Sequence, residues 1–157
     1  MPRYWILVMV EENYLLAKAR GLIGMSKGAS RGIQQMQVGD PLTFYISKKR
    51  VDSPANDPGQ RVQQFRGMAR VSSEVFESDE RIWPARAREI FRFRRRVEFL
   101  SDASADVRLL IDKLSFVTNT LFWALPLRPG YVEVKPKDFE TIQEAMQASR
   151  VGPPGSS

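Results

Sequence analysis

Between Ile90 and Leu100 the chain alternates regularly enough to dictate a sheet. Phe91, Phe93, Val97 and Phe99 fall at odd positions, and Arg92, Arg94 and Arg96 at even ones. Successive strand side chains point to opposite faces, so a period of two gives one aromatic face and one cationic face. The aromatic face needs a core to cover it. Arg95 breaks the pattern: it stands at an odd position among the phenylalanines, where an unpaired buried guanidinium costs several kcal/mol. The strand must either bulge to turn Arg95 outward or offer it a pocket with an acidic or phosphate partner.

Elements around this strand follow from similar patterns. Tyr4-Trp5-Ile6-Leu7-Val8-Met9-Val10 is an apolar run of buried-strand length. It falls far short of the ~20 residues of a membrane helix, and it has neither the charged start nor the small-residue cleavage site of a signal peptide. Glu11-Glu12-Asn13 opens a helix with Leu15, Leu16, Ala19 and Leu22 at helical spacing and Gly21 as its stop. Gly24 to Gly32, GMSKGASRG, reads as a small-residue loop, and Val38-Gly39-Asp40-Pro41 as a turn. Strands are expected over 42–47 and 65–71, the latter with Gly67 marking a bulge or a close backbone approach. A polar loop over 48–60 separates them.

Helical signals return at Asp106 to Leu114 and again from Pro136 to Ser149, where Phe139, Ile142 and Met146 share a face. Residues 1–149 form the expected domain, and 150–157, with nothing to bury, a disordered tail. Strands scattered among helices without βαβ repetition indicate an α+β fold with a largely antiparallel or mixed sheet.

Composition then narrows the chemistry. The chain has no cysteine and no histidine, which removes disulfides, the usual zinc, haem and iron–sulfur ligands, thiol nucleophiles and imidazole bases. The lack of cysteine fits a reducing cytoplasm. No cofactor, metal site or membrane partner is expected, and a monomer is favoured. The net charge is +6, and a basic chain makes nucleic acid the first partner to consider. Residues 81–96 hold seven arginines and one acid, so this segment accounts for the whole excess.

Alternate strand arginines stand ~6.6 Å apart, close to the phosphate repeat of an extended single strand; a solvated strand face explains them equally well. Trp83, between arginines, can stack on a base or plug the core. GMSKGASRG lacks the G-x-x-x-x-G-K-[ST] spacing of a P-loop, yet its backbone donors with Lys27 and Arg31 suit a phosphate as well as a tight turn. Glu133-Val134-Lys135, with Asp106 or Asp112 upstream, is the minimum of a magnesium-dependent nuclease site and a three-residue match of low specificity.

In order along the chain, Tyr4-Trp5-Ile6, Glu12-Asn13, the Gly24-to-Arg31 loop, Val38-Gly39-Asp40 before Phe44-Tyr45, Phe65-x-Gly67 and Ile82-Trp83-Pro84 resemble the EVE domain. Phe93-Arg94, Leu114-Ser115-Phe116, Asn119, Trp123 and Asp138-Phe139 continue the match, which covers about residues 3 to 147. The EVE domain is a PUA-like module related to YTH and ASCH domains. The resemblance implies a small curved mixed β-barrel flanked by helices, with a pocket between the first helix, the glycine loop and nearby strands. It also implies a non-enzymatic reader of a modified, flipped-out base in DNA or RNA.

Carried over by residue, Trp83 stands where YTH readers place one cage wall, and Ile23 where they place a second tryptophan. Tyr4, Trp5 and Asn13 line or support the pocket. The site expected from these residues has Trp83, Ile23, Gly24, Ser26, Asn13, Tyr45 and Phe65 around the base. Lys27, Arg31, Arg92, Arg94, Arg95 and Arg96 would meet phosphates. The alternatives are a small-ligand or protein-interaction module and, less favoured, the nuclease.

Overall fold

The computed structural model of the chain describes residues 1–54 and 56–151. Among these residues the elements run β1 (Tyr4–Met9), α1 (Glu11–Arg20), β2 (Leu22–Met25), α2 (Ser30–Gln35), β3 (Pro41–Lys48), β4 (Arg61–Val71), β5 (Phe76–Glu77), β6 (Phe93–Asp106), β7 (Tyr131–Val134) and α3 (Pro136–Val151). The strands form one mixed sheet in the order β2-β6-β4-β3-β1-β7, with β5 paired to β6. Among the described residues only β1 and β3 pair in parallel, Trp5 facing Leu42 and Met9 facing Ile46. The α1–β2–α2 segment makes the crossover that a parallel pair requires.

The sheet curls into a half-barrel with a core on each face. Trp5 and Leu7 of β1 and Leu42, Phe44 and Ile46 of β3 point inward with Tyr14, Ile23, Ile33 and Val97. Ile6 and Tyr45, at the alternate positions, point outward under α3 and its Phe139, Ile142 and Met146. Helix α2 lies across the gap between the sheet's two edges. Its Gly32 sits so close to Tyr131 of β7 that any Cβ there would overlap the ring.

The helix α1 ends as expected, with Gly21 left-handed at φ +64. Its buried face differs from the leucine spacing: Asn13, Tyr14 and Ala17 are buried, Leu15 is exposed, and Leu22 belongs to β2. Tyr14 decides the orientation, because its ring packs edge-on against Phe44 and Phe99 at 5.3 and 5.9 Å. Its hydroxyl reaches Gly67, which has φ +77 at a register shift between β3 and β4 and leaves no room for a side chain. That hydroxyl donates to Asp102 Oδ1 at 2.6 Å, and Arg66 and Lys18 hold the same carboxylate at 2.9 and 2.8 Å.

Other expectations change. GMSKGASRG is no loop: it contributes the end of β2, a 3-10 turn at Lys27–Ala29 and the start of α2. The helix expected from Asp106 is a 3-10 turn over Val107–Leu109, with Asp106 accepting from the Arg108 N–H at 2.9 Å. β6 runs on to Asp106 because it pairs with β4 from Val97 to Asp106. The strand expected from Ile90 begins only at Phe93. Helix α3 takes in 150 and 151, which were expected in the tail, and residues 152–157 lie outside the described residues. Among the described residues no helix is long and apolar enough to cross a membrane.

Candidate functional site

A cavity of about 330 Å³ opens where the parallel pair β1 and β3 ends. Val8, Met9 and Val10 form one side with Ser47, while Asn13 from the first turn of α1 forms another. Gly24, Met25 and Ser26 supply the end of β2, and Arg128, Pro129 and Gly130 the turn before β7. Trp83 and Phe91 close the cavity from a long segment that crosses its mouth. The volume lies at the low end of the roughly 300–1,000 Å³ typical of small-molecule sites.

Trp83 is only 9% exposed. It lies against Gly24, where a Cβ would sit 2.5 Å from the indole, and beside Phe91 with ring centroids 6.0 Å apart. Arg94 places its guanidinium 5.1 Å from the indole centroid. The same guanidinium donates to Phe91 O at 2.8 Å and to Glu80 O, tying down both ends of the Trp83 segment. Asn13 Nδ2 donates to Pro84 O at 3.1 Å, a third tie. That bond orients the amide, and Asn13 Oδ1 is left buried with no partner. A buried acceptor without a donor costs about 1–3 kcal/mol, and this one belongs to a residue that lines the cavity.

Of the residues expected around a base, Trp83, Gly24, Ser26 and Asn13 meet at this cavity. Ile23, Tyr45 and Phe65 do not. Ile23 is fully buried in the inner core, turned away because its neighbour Gly24 faces Trp83. Tyr45 and Phe65 pack edge-on against each other at 5.6 Å on the outer face, and burial pushes the Tyr45 phenol pKa upward. Tyr4 packs on Phe139. Trp5 lies at the opposite end of β1 and donates its indole N–H to Asp40 at 2.9 Å.

The arginines divide. Arg94 and Arg95, 1% and 2% exposed, are not on the surface, and burial lowers the pKa of both. Arg95 keeps its odd-position inward direction with no register shift against β2 and, among the described residues, no carboxylate within 4.0 Å. It donates to Ile33 O at 2.7 Å, Gln34 O at 3.3 Å and Ser73 O at 3.0 Å, capping the carbonyl end of α2. Arg94 keeps its even direction but is roofed by the Trp83 segment. Of the residues expected to meet phosphates, Lys27, Arg31, Arg92 and Arg96 are exposed; Arg92 pairs with Asp79, and Arg96 stands 5.8 Å over Phe76.

Arg128, Pro129, Gly130, Phe91 and the β1 end were not anticipated as site residues. The parallel pairing of β1 and β3 is the signal that locates them, since ligand crevices favour the carboxyl ends of parallel strands. The nuclease triplet is committed elsewhere: Arg3 grips Glu133 through two bonds of 3.0 and 2.7 Å and holds its pKa below the usual carboxylate range. Among the described residues no three His, Cys, Asp or Glu side chains gather as metal ligands.

A family model described as the EVE domain matches residues 3–145. The chain is 25% identical over 152 residues to a UPF0310 protein of Mesorhizobium japonicum, covering 96% of this chain and 95% of that one. It is 26% identical over 144 residues to UPF0310 protein YdcG of Bacillus subtilis, covering 91% of each. Among solved structures it is similar to the YTH domain of Zygosaccharomyces rouxii MRB1 in complex with N6-methyladenosine RNA: TM-score 0.58, 15% identity, 93% of this chain and 87% of that one. A Pseudomonas putida protein gives a TM-score of 0.59 at 17% identity, over 91% of this chain and 99% of that one. The α+β architecture is thus PUA-like.

Proposed function

The chain belongs to the EVE domain family, and from that premise we propose that the Trp83 cavity receives one flipped-out, modified base of a nucleic acid. The observation that carries the reading is a small cavity walled by Trp83, Met9 and Val10, one of whose lining residues, Asn13, keeps an unpartnered Oδ1. An apolar slot with one unmet acceptor suits a flat heteroaromatic ring bearing an N–H, such as a base with an exocyclic amine. Extruding a base costs a few kcal/mol, and stacking on an aromatic side chain returns about 1–3 kcal/mol. The Asn13 hydrogen bond and the apolar contact of a modifying methyl group supply the rest.

The role is binding rather than catalysis: the cavity offers Asn13, Ser26, Ser47 and Arg128 as its polar side chains, with no base–nucleophile pair among them. Lys27, Arg31, Arg92 and Arg96 are exposed and meet the backbone, while Arg94 and Arg95 act inside the protein. The protein works in the cytoplasm on this reading.

The test compares single-stranded DNA and RNA oligonucleotides carrying a methylated cytosine or adenine with their unmodified counterparts. Modified strands bind more tightly, and Trp83→Ala and Asn13→Ala each remove that preference. A preference that survives Trp83→Ala overturns the cavity as the reading site. Affinity that does not change with salt removes the phosphate contacts.

A further inference from the structure

Beside the base cavity lies a second cavity of about 510 Å³, entered between Lys27, Arg81, Arg88 and Arg92, with Glu77 and Glu89 at its rim. Ile90 and Phe93 form its floor. The two cavities share a wall: Ser26 and Phe91 line the first, and the next residue along the chain in each case, Lys27 and Arg92, lines the second.

Cations outnumber carboxylates in this cavity, four against Glu77 and Glu89. Arg92 has Asp79, but among the described residues Lys27, Arg81 and Arg88 have no carboxylate within 4.0 Å. Glu89 spends Oε1 on the Lys27 backbone N–H at 2.8 Å, which pins the turn without neutralising the ammonium. Arg81 is itself held in place, donating one N–H to Arg88 O at 2.8 Å and keeping its other donors free. The backbone is shaped to present these groups. Ala87 and Arg88 both have φ +54, an uncommon conformation for residues other than glycine, and such outliers cluster where a ligand is gripped.

We propose that this second cavity binds a phosphodiester group of the strand whose base enters the Trp83 cavity, so that the ligand is a polynucleotide and not a free base or nucleoside. The proposal rests on the base-binding reading for which chain carries the phosphate. With Arg92 paired to Asp79, Lys27, Arg81 and Arg88 against Glu77 and Glu89 leave one net positive charge, which matches one phosphodiester, and two of the cations are arginines, whose planar fork suits phosphate oxygens.

The experiment uses the full chain and two probes: a single-stranded trimer of abasic sugar phosphates, and a modified-base oligonucleotide. Arg88→Ala keeps the backbone carbonyl that holds Arg81, and Arg81→Ala/Arg88→Ala removes both forks. Expected is about a tenfold loss of abasic-trimer affinity in the double variant, with the slope of log affinity against log salt shallower by about 0.7. Trp83→Ala should leave trimer binding unchanged. Trimer affinity that is equal in wild type and the double variant, or undetectable in both, overturns the phosphate site. Modified-base binding that needs Trp83 but ignores Arg81 and Arg88 also overturns it, with the base cavity intact. Arginine-dependent trimer binding without any base preference leaves this site standing and removes the base reading.

Discussion

Replacing Gly24 by alanine probes the contact on which the cavity wall depends. The added Cβ would stand 2.5 Å from Cζ3 and 2.9 Å from Cη2 of Trp83, and 3.2 Å from Phe91 Cβ. Ordinary carbon contacts lie at about 3.5–4.0 Å, so the indole has to retreat by about 1 Å. It is not free to do so, because Asn13, Arg94 and Phe91 fix the segment that carries it. Overpacking of this kind costs about 1–3 kcal/mol. Against that, alanine restricts the unfolded chain and returns about 0.4–1 kcal/mol, since Gly24 is not left-handed. The net is a loss of roughly 0–2.6 kcal/mol, about 1.3 at the middle of both ranges, and each kcal/mol lowers Tm by about 2–4 °C in a domain of this size.

Thermal unfolding followed by circular dichroism measures it, with Gly28→Ala as the control. At Gly28 nothing stands within 4 Å of the new Cβ, so that variant should be neutral or slightly stabilising. A double-mutant cycle localises the cause: in a Trp83→Leu background most of the Gly24→Ala penalty should vanish. A Gly24→Ala protein as stable as wild type, with no coupling to position 83, would refute the placement of Trp83 over Gly24.

Two further outcomes follow from the interior. Asp102, whose pKa is held well below the ordinary carboxylate value first by Arg66 and then by Lys18 and Tyr14, contributes stability that is present above the unfolded value of about 3.9 and lost as pH falls through its lower folded value. Urea midpoints measured from pH 5 downward should therefore fall more steeply in wild type than in Asp102→Asn. Arg95→Met strands the carbonyls of Ile33, Gln34 and Ser73; it should destabilise by about 1–3 kcal/mol and accelerate amide exchange in α2, whereas Arg96→Met changes stability by under about 0.5 kcal/mol.

The alternation read between Ile90 and Leu100 proves accurate from Phe93 to Leu100 and incomplete in its meaning. Parity sends Arg95 inward and Arg94 outward, as read, but parity says nothing about what covers a face. Arg94 is covered by a segment without regular structure, and Arg95 is satisfied by three backbone carbonyls that no side-chain pattern can announce. In α1 the leucines misled because one tyrosine outweighed them. The cavity was legible where the family resemblance named Trp83, Gly24, Ser26 and Asn13. It was not where its wall comes from Arg128 to Gly130, about a hundred residues away in sequence. Several residues of the ordered resemblance are pins rather than ligands. Asp40 accepts from Trp5, Gln37 and Arg3, and Asp138 fastens Ser115 to the first turn of α3.

β1 pairs with β3 on one side and with β7 on the other, Tyr4 facing Val134. On the ribosome its first partner is complete by Lys48, but its second is made only after roughly 90 further residues, about 5–20 s of translation. Through that interval one edge of the most apolar strand offers unpaired amides and carbonyls, a template for a neighbouring nascent chain. The domain is therefore most exposed to aggregation while it is being made, and the short strand that ends this exposure, Tyr131–Val134, follows directly on the turn that walls the cavity. Binding competence and relief from that hazard arrive together, in the same final stretch of synthesis.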